Sequence, residues 1–379
     1  MLKTLHIRHC RSLLDLRLRL GRVTVITGEN GVGKSNVYRS LAMLQRLAAG
    51  RFAEAIAQEG GMPSLLWSGK RDLKKPLRVS WKIEHDFFLY EMECGLVPNA
   101  PGDITKFRTD PDVKLETLQL HQRGKSHVIA KRKGPMIDLR DADGRFETAP
   151  FPLHSPESML SEIRDAARYP GLAAAREILL SWRFYHQFRT DADSALRRPV
   201  IGSWSPVLSH DGANLAATLQ TIVEARRGEP LDEIVENAFP ETRWRACDDQ
   251  DRFQLQILRP GLKRWLDASE VSDGTLRFFC LFAALLSPKP PPLLVLNEPE
   301  TSLHPQLFST LANLVAQVPE ETQIIIVTHS QTLAEALDAV LPCKRIELVS
   351  YEGETRRAVE GTGPRVQVFD DGDEDDQEN

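Results

Sequence analysis

One stretch of the sequence decides the fold: Gly28-Glu29-Asn30-Gly31-Val32-Gly33-Lys34-Ser35. It fits the pattern G-x-x-x-x-G-K-S of a phosphate-binding loop. Residues 22–27 before it are β-branched and apolar, which predicts a buried strand. Residues 37–49 after it carry apolar side chains at helical spacing and stop at Gly50, which predicts a helix. Strand, glycine loop and helix therefore occur in the order that this kind of loop requires.

The residue types in this loop suit an anionic ligand. Glycines let the backbone approach a phosphate closely, and the amide groups at the start of the helix face the anion. Lys34 is expected to reach the β- and γ-phosphates, while the Ser35 hydroxyl is expected to ligate Mg²⁺. The predicted nucleotide-binding residues are Gly28, Glu29, Asn30, Gly31, Val32, Gly33, Lys34, Ser35 and Asn36.

Composition limits the class of protein. The chain has 379 residues, enough for more than one domain, and its 41% apolar and 27% charged content is that of a soluble globular protein. Five scattered cysteines without a C-x-x-C pair argue against a disulfide framework or zinc site and favour a reducing cytoplasm. The N-terminus lacks the apolar core of a signal peptide, and no apolar run is long enough to predict a membrane span.

The pattern changes along the chain and predicts five segments. Residues 1–70 and 251–360 are expected to form two parts of one core, residues 71–153 a β-rich insert of period two, and residues 154–250 a helical insert. Seven of the last ten residues are acidic, so 361–379 is expected to be a disordered, solubilising tail. The alternative is a regulatory tail that masks a basic surface.

Two features of the inserts allow more than one interpretation. A helix predicted over 172–188 carries an aromatic cluster that either faces the core or stacks nucleic-acid bases: Trp182, Phe184, Tyr185 and Phe188. Basic groups at 131–133, 197–198 and 226–227 are either solvated faces or contacts to phosphates.

Polar residues follow two further buried strands near the C-terminus. The apolar run 293–296 leads into Asn297-Glu298-Pro299-Glu300, and the run 323–328 ends on His329. In an open α/β sheet, ligands gather at the carboxyl ends of the strands, so these residues are expected to share a site with the glycine loop. Between the glycine loop and these two strands, Ser272-Asp273-Gly274-Thr275 precedes an apolar helix. This segment is either an ordinary helix cap or a second phosphate binder.

Taken together, these motifs resemble the ATP-binding-cassette (ABC) heads of the RecF, SMC and OLD group of AAA-family ATPases. The resemblance lies in residues 1–70 and 270–379. The segment Ile7 to Ser12 resembles the opening strand of that group, and the glycine loop matches Walker A. The other matches are the signature loop at Ser272–Thr275, Walker B at Leu293–Glu298, the D-loop at Ser302–Pro305 and the switch histidine His329.

The resemblance implies an α/β P-loop NTPase of ABC-head type with inserted β-rich and helical lobes. It also implies an ATPase that forms an ATP-dependent homodimer, with ATP and Mg²⁺ between two heads. One head would offer Lys34 and Ser35, and the other would offer its signature loop, Ser272, Asp273, Gly274 and Thr275. The implied catalytic residues are Glu298 as the base, His329 at the γ-phosphate, and Lys34; the implied metal ligands are Ser35 and Asn297.

The sequence departs from the group in several respects. Asn297 stands where Walker B carries an aspartate, so slow hydrolysis is expected, and no Q-loop glutamine is identified. There is no long heptad insertion, and the 50 residues after His329 are too few for a nuclease domain. The expected function is an ATP-switched clamp on DNA in repair or defence. The alternative is a slow or non-hydrolysing regulatory module for a partner protein such as an effector nuclease.

Overall fold

The computed structural model describes residues 1–70, 76–98, 105–122, 124–226, 230–249 and 251–358. The predicted acidic tail at 361–379 lies outside these residues. The strands in chain order are β1 (Leu2–Cys10), β2 (Leu13–Arg19), β3 (Val23–Thr27), β4 (Val79–His85), β5 (Phe88–Leu96), β6 (Pro111–Gln122), β7 (Lys125–Lys133), β8 (Met136–Arg140), β9 (Phe146–Thr148), β10 (Arg183–Tyr185), β11 (Val200–Ile201), β12 (Arg243–Asp249), β13 (Arg252–Leu258), β14 (Leu266–Asp267), β15 (Leu293–Asn297), β16 (Gln323–Val327), β17 (Lys344–Tyr351) and β18 (Glu354–Arg357).

The helices alternate with these strands in the last part of the chain, from residue 273 to residue 351. They are α1 (Lys34–Ala48), α2 (Phe52–Gln58), α3 (Met62–Leu65), α4 (Met159–Glu162), α5 (Pro170–Ser181), α6 (Leu215–Ala225), α7 (Leu231–Ala238), α8 (Asp273–Leu285), α9 (Phe308–Ala316) and α10 (Gln331–Val340). None of the helices in the described ranges combines the length and the apolar composition that crossing a bilayer requires.

A parallel sheet forms the centre of the molecule. Within the described residues its strand order is β10-β15-β16-β3-β17-β18, and only β18 runs antiparallel to its neighbour. All residues of β15 and β16 are buried, as expected for strands covered on both faces. The register pairs Asn297 with Val327, and Val327 with Ile26. The carboxyl ends of β15, β16 and β3 are therefore level with one another.

The central sheet separates two apolar cores. Alternate residues of β3, β15 and β16 point to opposite faces, as strand geometry requires. On one face, Ile26, Val295 and Val327 pack in the core that contains α1 and α5. On the other face, Val25 and neighbouring strand residues pack in the core that contains α8, α9 and α10. Helices on both faces of a parallel sheet give the α/β architecture that the sequence predicts.

A second, antiparallel sheet contains the period-two region. Across the described residues its strand order is β2-β1-β4-β5-β6-β7-β8-β9, so the predicted strands between 79 and 130 are confirmed. The N-terminal hairpin pairs directly with β4, for example Ile7 with Trp81, and the two regions form one continuous sheet. The basic group at 131–133 does not form a uniform surface. Arg132 is fully buried in an ion pair with Glu116 at 3.0 Å.

The helix predicted over 172–188 is wrong in its second part. Helix α5 ends at Ser181, Trp182 is extended, and Arg183–Tyr185 forms β10 beside β15. The difference comes from tertiary structure. Residues 183–185 form backbone hydrogen bonds with the edge of β15, and they could not do so in a longer helix. The aromatic side chains at 182, 184, 185 and 188 are buried, so the core interpretation of this cluster is confirmed. The division of the chain into five segments stays a prediction.

Candidate functional site

Four neighbouring strands bring the predicted site residues to one edge of the central sheet. β3 leads into the glycine loop, β16 into His329, and β15 into Glu298. The fourth strand, β10, leads into His186, which the sequence did not single out because it lay in the predicted helix. The site is thus built from the loops that follow adjacent parallel strands, where α/β proteins bind ligands.

Lys34 lies at the centre of the glycine loop. Its side chain is largely buried, and its Nζ donates hydrogen bonds of 2.7 Å to the carbonyl oxygens of Gly28 and Glu29. Burial lowers the pKa of Lys34, while the nearby carboxylates of Glu298 and Glu300 act in the opposite direction. The glycine loop therefore holds the Lys34 ammonium group close to two carboxylates. The ammonium group is hydrogen-bonded to carbonyl groups of the loop itself.

The C-terminal hairpin, formed by β17 and β18, supports the glycine loop through Thr355. Thr355, on β18, is buried and donates a hydrogen bond of 2.7 Å to the carbonyl of Val32. The Thr355 hydroxyl also lies 2.7 Å from the Ser12 hydroxyl, which accepts from Asn36 Nδ2 at 2.9 Å. A side chain at Gly33 would collide with Thr355, because a Cβ there would lie 2.1 Å from its Oγ1. Sequence reasoning missed this support, since the loop and Thr355 are far apart in the chain.

Glu298 follows β15 in a strained backbone conformation. Its φ is 50°, in the left-handed region, and its amide donates a hydrogen bond of 2.7 Å to the carbonyl of Val327. The carboxylate is partly exposed, with its Oε1 4.0 Å from His329 Nδ1. The two residues predicted as base and γ-phosphate contact therefore lie next to each other.

Glu300 is closer to His329 than Glu298 is. Its Oε1 lies 3.2 Å from His329 Nδ1, accepts the His329 amide at 3.1 Å, and accepts the Thr328 hydroxyl. The carboxylate is buried, and its second oxygen has no hydrogen-bond partner in the described residues. From the sequence, Glu300 is expected near the glycine loop because it follows a buried strand, but the sequence assigns it no individual role.

Asn297 ends β15 with its side chain almost completely buried. Its Nδ2 lies 2.6 Å from His186 Nδ1. Its Oδ1 is buried and has no hydrogen-bond partner in the described residues. Because a buried acceptor without a partner costs free energy, Oδ1 is suited to a donor that the protein itself does not supply.

Residues of the same chain hold the signature loop in place. Arg197 donates to Asp273 at 2.6 Å and to the carbonyl of Val271 at 2.8 Å, so this basic residue is a structural clamp and not a free cation. A Cβ on Gly274 would lie 2.6 Å from the Ser302 carbonyl, which shows how closely the signature loop approaches the D-loop. In the described residues no hydrogen bond or ion pair joins Ser272–Thr275 to Gly28–Ser35.

Comparison with protein families identifies the chain. Residues 109–335 match the family described as "AAA domain, putative AbiEii toxin, Type IV TA system". The match covers more than half of the sequence. The chain belongs to this family. The match to this AAA-domain family begins after Gly28–Ser35, so it does not include the glycine loop. The glycine loop is identified from its own sequence and geometry.

Solved structures show the fold of this AAA-domain protein. One relative is described as the SmcHead bound to the C-winged helix domain of ScpA, with 15% identity, a TM-score of 0.51, and coverage of 94% of this chain and 97% of that one. A second is the Smc head domain with an extended coiled coil, bound to the C-terminal domain of ScpA and derived from Pyrococcus furiosus. Its identity is 14%, its TM-score 0.52, and the coverages 94% and 95%. A search of curated protein sequences gives no significant match. The predicted fold, a P-loop NTPase of ABC-head type, is confirmed.

The described residues fit a nucleoside triphosphate and Mg²⁺. A Cβ built on Gly31 meets nothing within 4 Å, so the loop is open on that side. The Ser35 hydroxyl has no partner among the described residues and can serve as a metal ligand. The unpartnered Asn297 Oδ1 is an acceptor suited to a metal-bound water. Together these groups supply a cation, an oxygen ligand and an acceptor on one side of the sheet.

Proposed function

We propose that this AAA-domain protein binds ATP with Mg²⁺ and hydrolyses it to ADP and phosphate. The observation that carries the proposal is the convergence of Lys34, Glu298 and His329 at the ends of adjacent strands. His329 Nδ1 lies 4.0 Å from Glu298 Oε1. The carboxylates of Glu298 and Glu300 act to raise the pKa of Lys34, which favours its charged form. A lysine, a partly exposed acid and a histidine around a glycine loop are the groups that phosphoryl transfer to water requires.

Each residue has a separate task in this proposal. Lys34 exchanges its carbonyl partners for the β- and γ-phosphate oxygens and neutralises their charge. Glu298 orients the attacking water and accepts its proton, while His329 donates a hydrogen bond to the γ-phosphate. Ser35, and Asn297 through a water molecule, would hold Mg²⁺, which would supply further charge neutralisation. Because Asn297 brings no negative charge, slow turnover is expected.

We also propose that two chains complete each site. Among the described residues, the signature loop is hydrogen-bonded to Arg197 and Arg259, and none of its partners there comes from the glycine loop. Ser272 and Gly274 would therefore serve the nucleotide of a second copy, in a homodimer that forms when ATP binds. The contact between Gly274 and Ser302 would connect the signature loop to the residues that follow Walker B.

Two biological roles fit a protein with this nucleotide site. The first is an ATP-switched clamp on DNA in repair or defence. The second is a slow or non-hydrolysing cytoplasmic module that regulates a partner protein such as an effector nuclease. The second is favoured by Asn297 and by the ion pairs that Arg132 and Arg197 make within the protein, which leave fewer cations of these two basic groups for DNA phosphates. Salt-titrated binding of duplex and single-stranded DNA, with and without ATP, distinguishes the two roles.

The proposed activity is tested with two variants. Lys34→Ala should lose ATP binding, because it removes the only loop side chain that brings a full positive charge to the phosphates. Glu298→Gln should still bind ATP but stop turnover, because it keeps the shape of the base and removes its basicity. ATP binding is measured by calorimetry and turnover by phosphate release. Unchanged binding and turnover in a folded Lys34→Ala protein would rule out this site.

A further inference from the structure

His186 and Asn297 are neighbours at the ends of two parallel strands. The register pairs Tyr185 of β10 with Leu296 of β15, so the next residue of each strand lies beside the other. Asn297 Nδ2 is 2.6 Å from His186 Nδ1. Asn297 Oδ1, at the other end of the same amide, is buried and has no partner in the part of the chain that the structure describes. The amide therefore has one end held by His186 and one end free.

The direction of the amide in the structure determines the tautomer of His186. Nδ2 can only donate, so the Nδ1 of His186 accepts and the imidazole carries its proton on Nε2. A metal-bound water donates hydrogen bonds, so it needs the acceptor Oδ1. The reverse orientation would direct two N–H donors at the cation site, where they would repel the metal and the hydrogens of its waters.

We propose that His186 is a positioning residue that turns the Asn297 amide so that Oδ1 faces a Mg²⁺-bound water. The inference rests on the proposed binding of ATP and Mg²⁺. It assigns to His186 a task that an aspartate at position 297 would not require, because both oxygens of a carboxylate accept hydrogen bonds. The histidine and the asparagine together thus replace part of what a Walker B aspartate does alone.

The position of the His186 ring supports this task. Its centroid lies 5.6 Å from that of Tyr38, which is on α1 three residues after Ser35. Tyr38 in turn contacts Phe184 of β10 edge to face, with ring centroids 5.8 Å apart. The imidazole is thereby held between the helix that carries Ser35 and the strand that carries Asn297.

The test measures metal binding and not turnover. The full-length protein is titrated with Mn²⁺ in the presence of an equimolar non-hydrolysable ATP analogue, and bound Mn²⁺ is followed by electron paramagnetic resonance. His186→Phe removes the acceptor and keeps a ring, so the half-saturating Mn²⁺ concentration should rise by about three- to tenfold. His186→Gln offers a new acceptor in its side-chain oxygen and should stay closer to the parent.

Repeating His186→Phe in the Asn297→Asp background tests whether His186 acts by orienting the amide of residue 297 or only by supporting the fold. A carboxylate needs no turning, so His186→Phe should change the half-saturating concentration there by less than about twofold. His210→Phe is the matched control. His210 Nδ1 lies 2.9 Å from the Phe184 carbonyl of β10, and across the described ranges no hydrogen bond joins it to Asn297. This control should leave the titration unchanged.

Two results would overturn the inference. One is an unchanged Mn²⁺ titration in a folded His186→Phe protein; the other is an equal shift in the Asn297→Asp background, which would mean that His186 acts only through the fold. Thermal unfolding establishes that each variant folds, and His186→Ala replaces the Phe variant if that one does not. If the parent itself fails to bind the analogue and Mn²⁺, the proposed function fails and not only the role of His186.

Discussion

Removing the Thr355 hydroxyl tests whether the C-terminal hairpin organises the glycine loop. Thr355 donates to the carbonyl of Val32, and it must therefore accept from Ser12, which accepts from Asn36. These hydrogen bonds form a directed chain from the helix after the loop, through two hydroxyls, back into the loop. The variant Thr355→Val keeps the shape of the side chain and removes the link between Ser12 and Val32.

The cost follows from the groups left behind. Thr355 is 1% exposed, so in Thr355→Val the buried carbonyl of Val32 loses a partner where water has little access, and the partly exposed Ser12 hydroxyl loses a second one. The free energy of unfolding should fall by about 2 kcal/mol, the usual penalty for stranding buried polar groups. Affinity for an ATP analogue should fall by about three- to tenfold, because the loop then spends less time in its binding conformation.

Thr355→Ser is the matched control, because it keeps the hydroxyl and loses only a methyl group. Urea unfolding monitored by circular dichroism gives the stability, and calorimetry with the analogue gives the affinity. The valine variant should be the weaker of the two in both measurements. If the two variants behave alike, or if the valine variant matches the parent, the hydroxyl chain does not hold the loop.

Two further changes probe the acids around His329 and a buried histidine elsewhere. Glu300→Gln removes the carboxylate that lies 3.2 Å from His329 Nδ1. ATP turnover should therefore fall by about tenfold or more, while ATP affinity stays within about threefold of the parent. Equal turnover of variant and parent in steady-state kinetics would contradict this role. Burial lowers the pKa of His85 from 6.5 to about 4, so its neutral form stabilises the fold above pH 6.5 and this contribution is lost as the pH falls towards 4. The loss should be on the order of 2 kcal/mol, as the ring keeps some contact with solvent, and urea unfolding at several pH values should show a flatter profile for His85→Gln.

The parts of the site that come from local patterns could be predicted from the sequence. The glycine loop is recognisable because its spacing and the flanking strand and helix are all contiguous in the chain. The strands that deliver Glu298 and His329 are recognisable because a parallel strand covered on both faces is a continuous apolar run. The general rule that ligands gather at the carboxyl ends of such strands then brings them together.

The parts that were missed depend on tertiary contacts. Strand β10 has only three residues and follows directly after α5, so helical spacing continued through it and concealed His186. Thr355 reaches Val32 across 323 positions of the chain, which no local pattern reports. Arg132 and Arg197 looked like surface cations because charge alone does not reveal a buried carboxylate or a set of carbonyl partners.

The most direct test of the account is a mixture of two inactive proteins. Lys34→Ala lacks the phosphate cation, and Ser272→Arg blocks the signature loop, so each alone should hydrolyse no ATP. Random assortment would give heterodimers in which one of the two sites carries neither lesion, so the mixture should recover about a quarter of the parent rate of phosphate release. Absence of any recovery, in a mixture shown by mass spectrometry to contain heterodimers, would contradict a site shared between two chains.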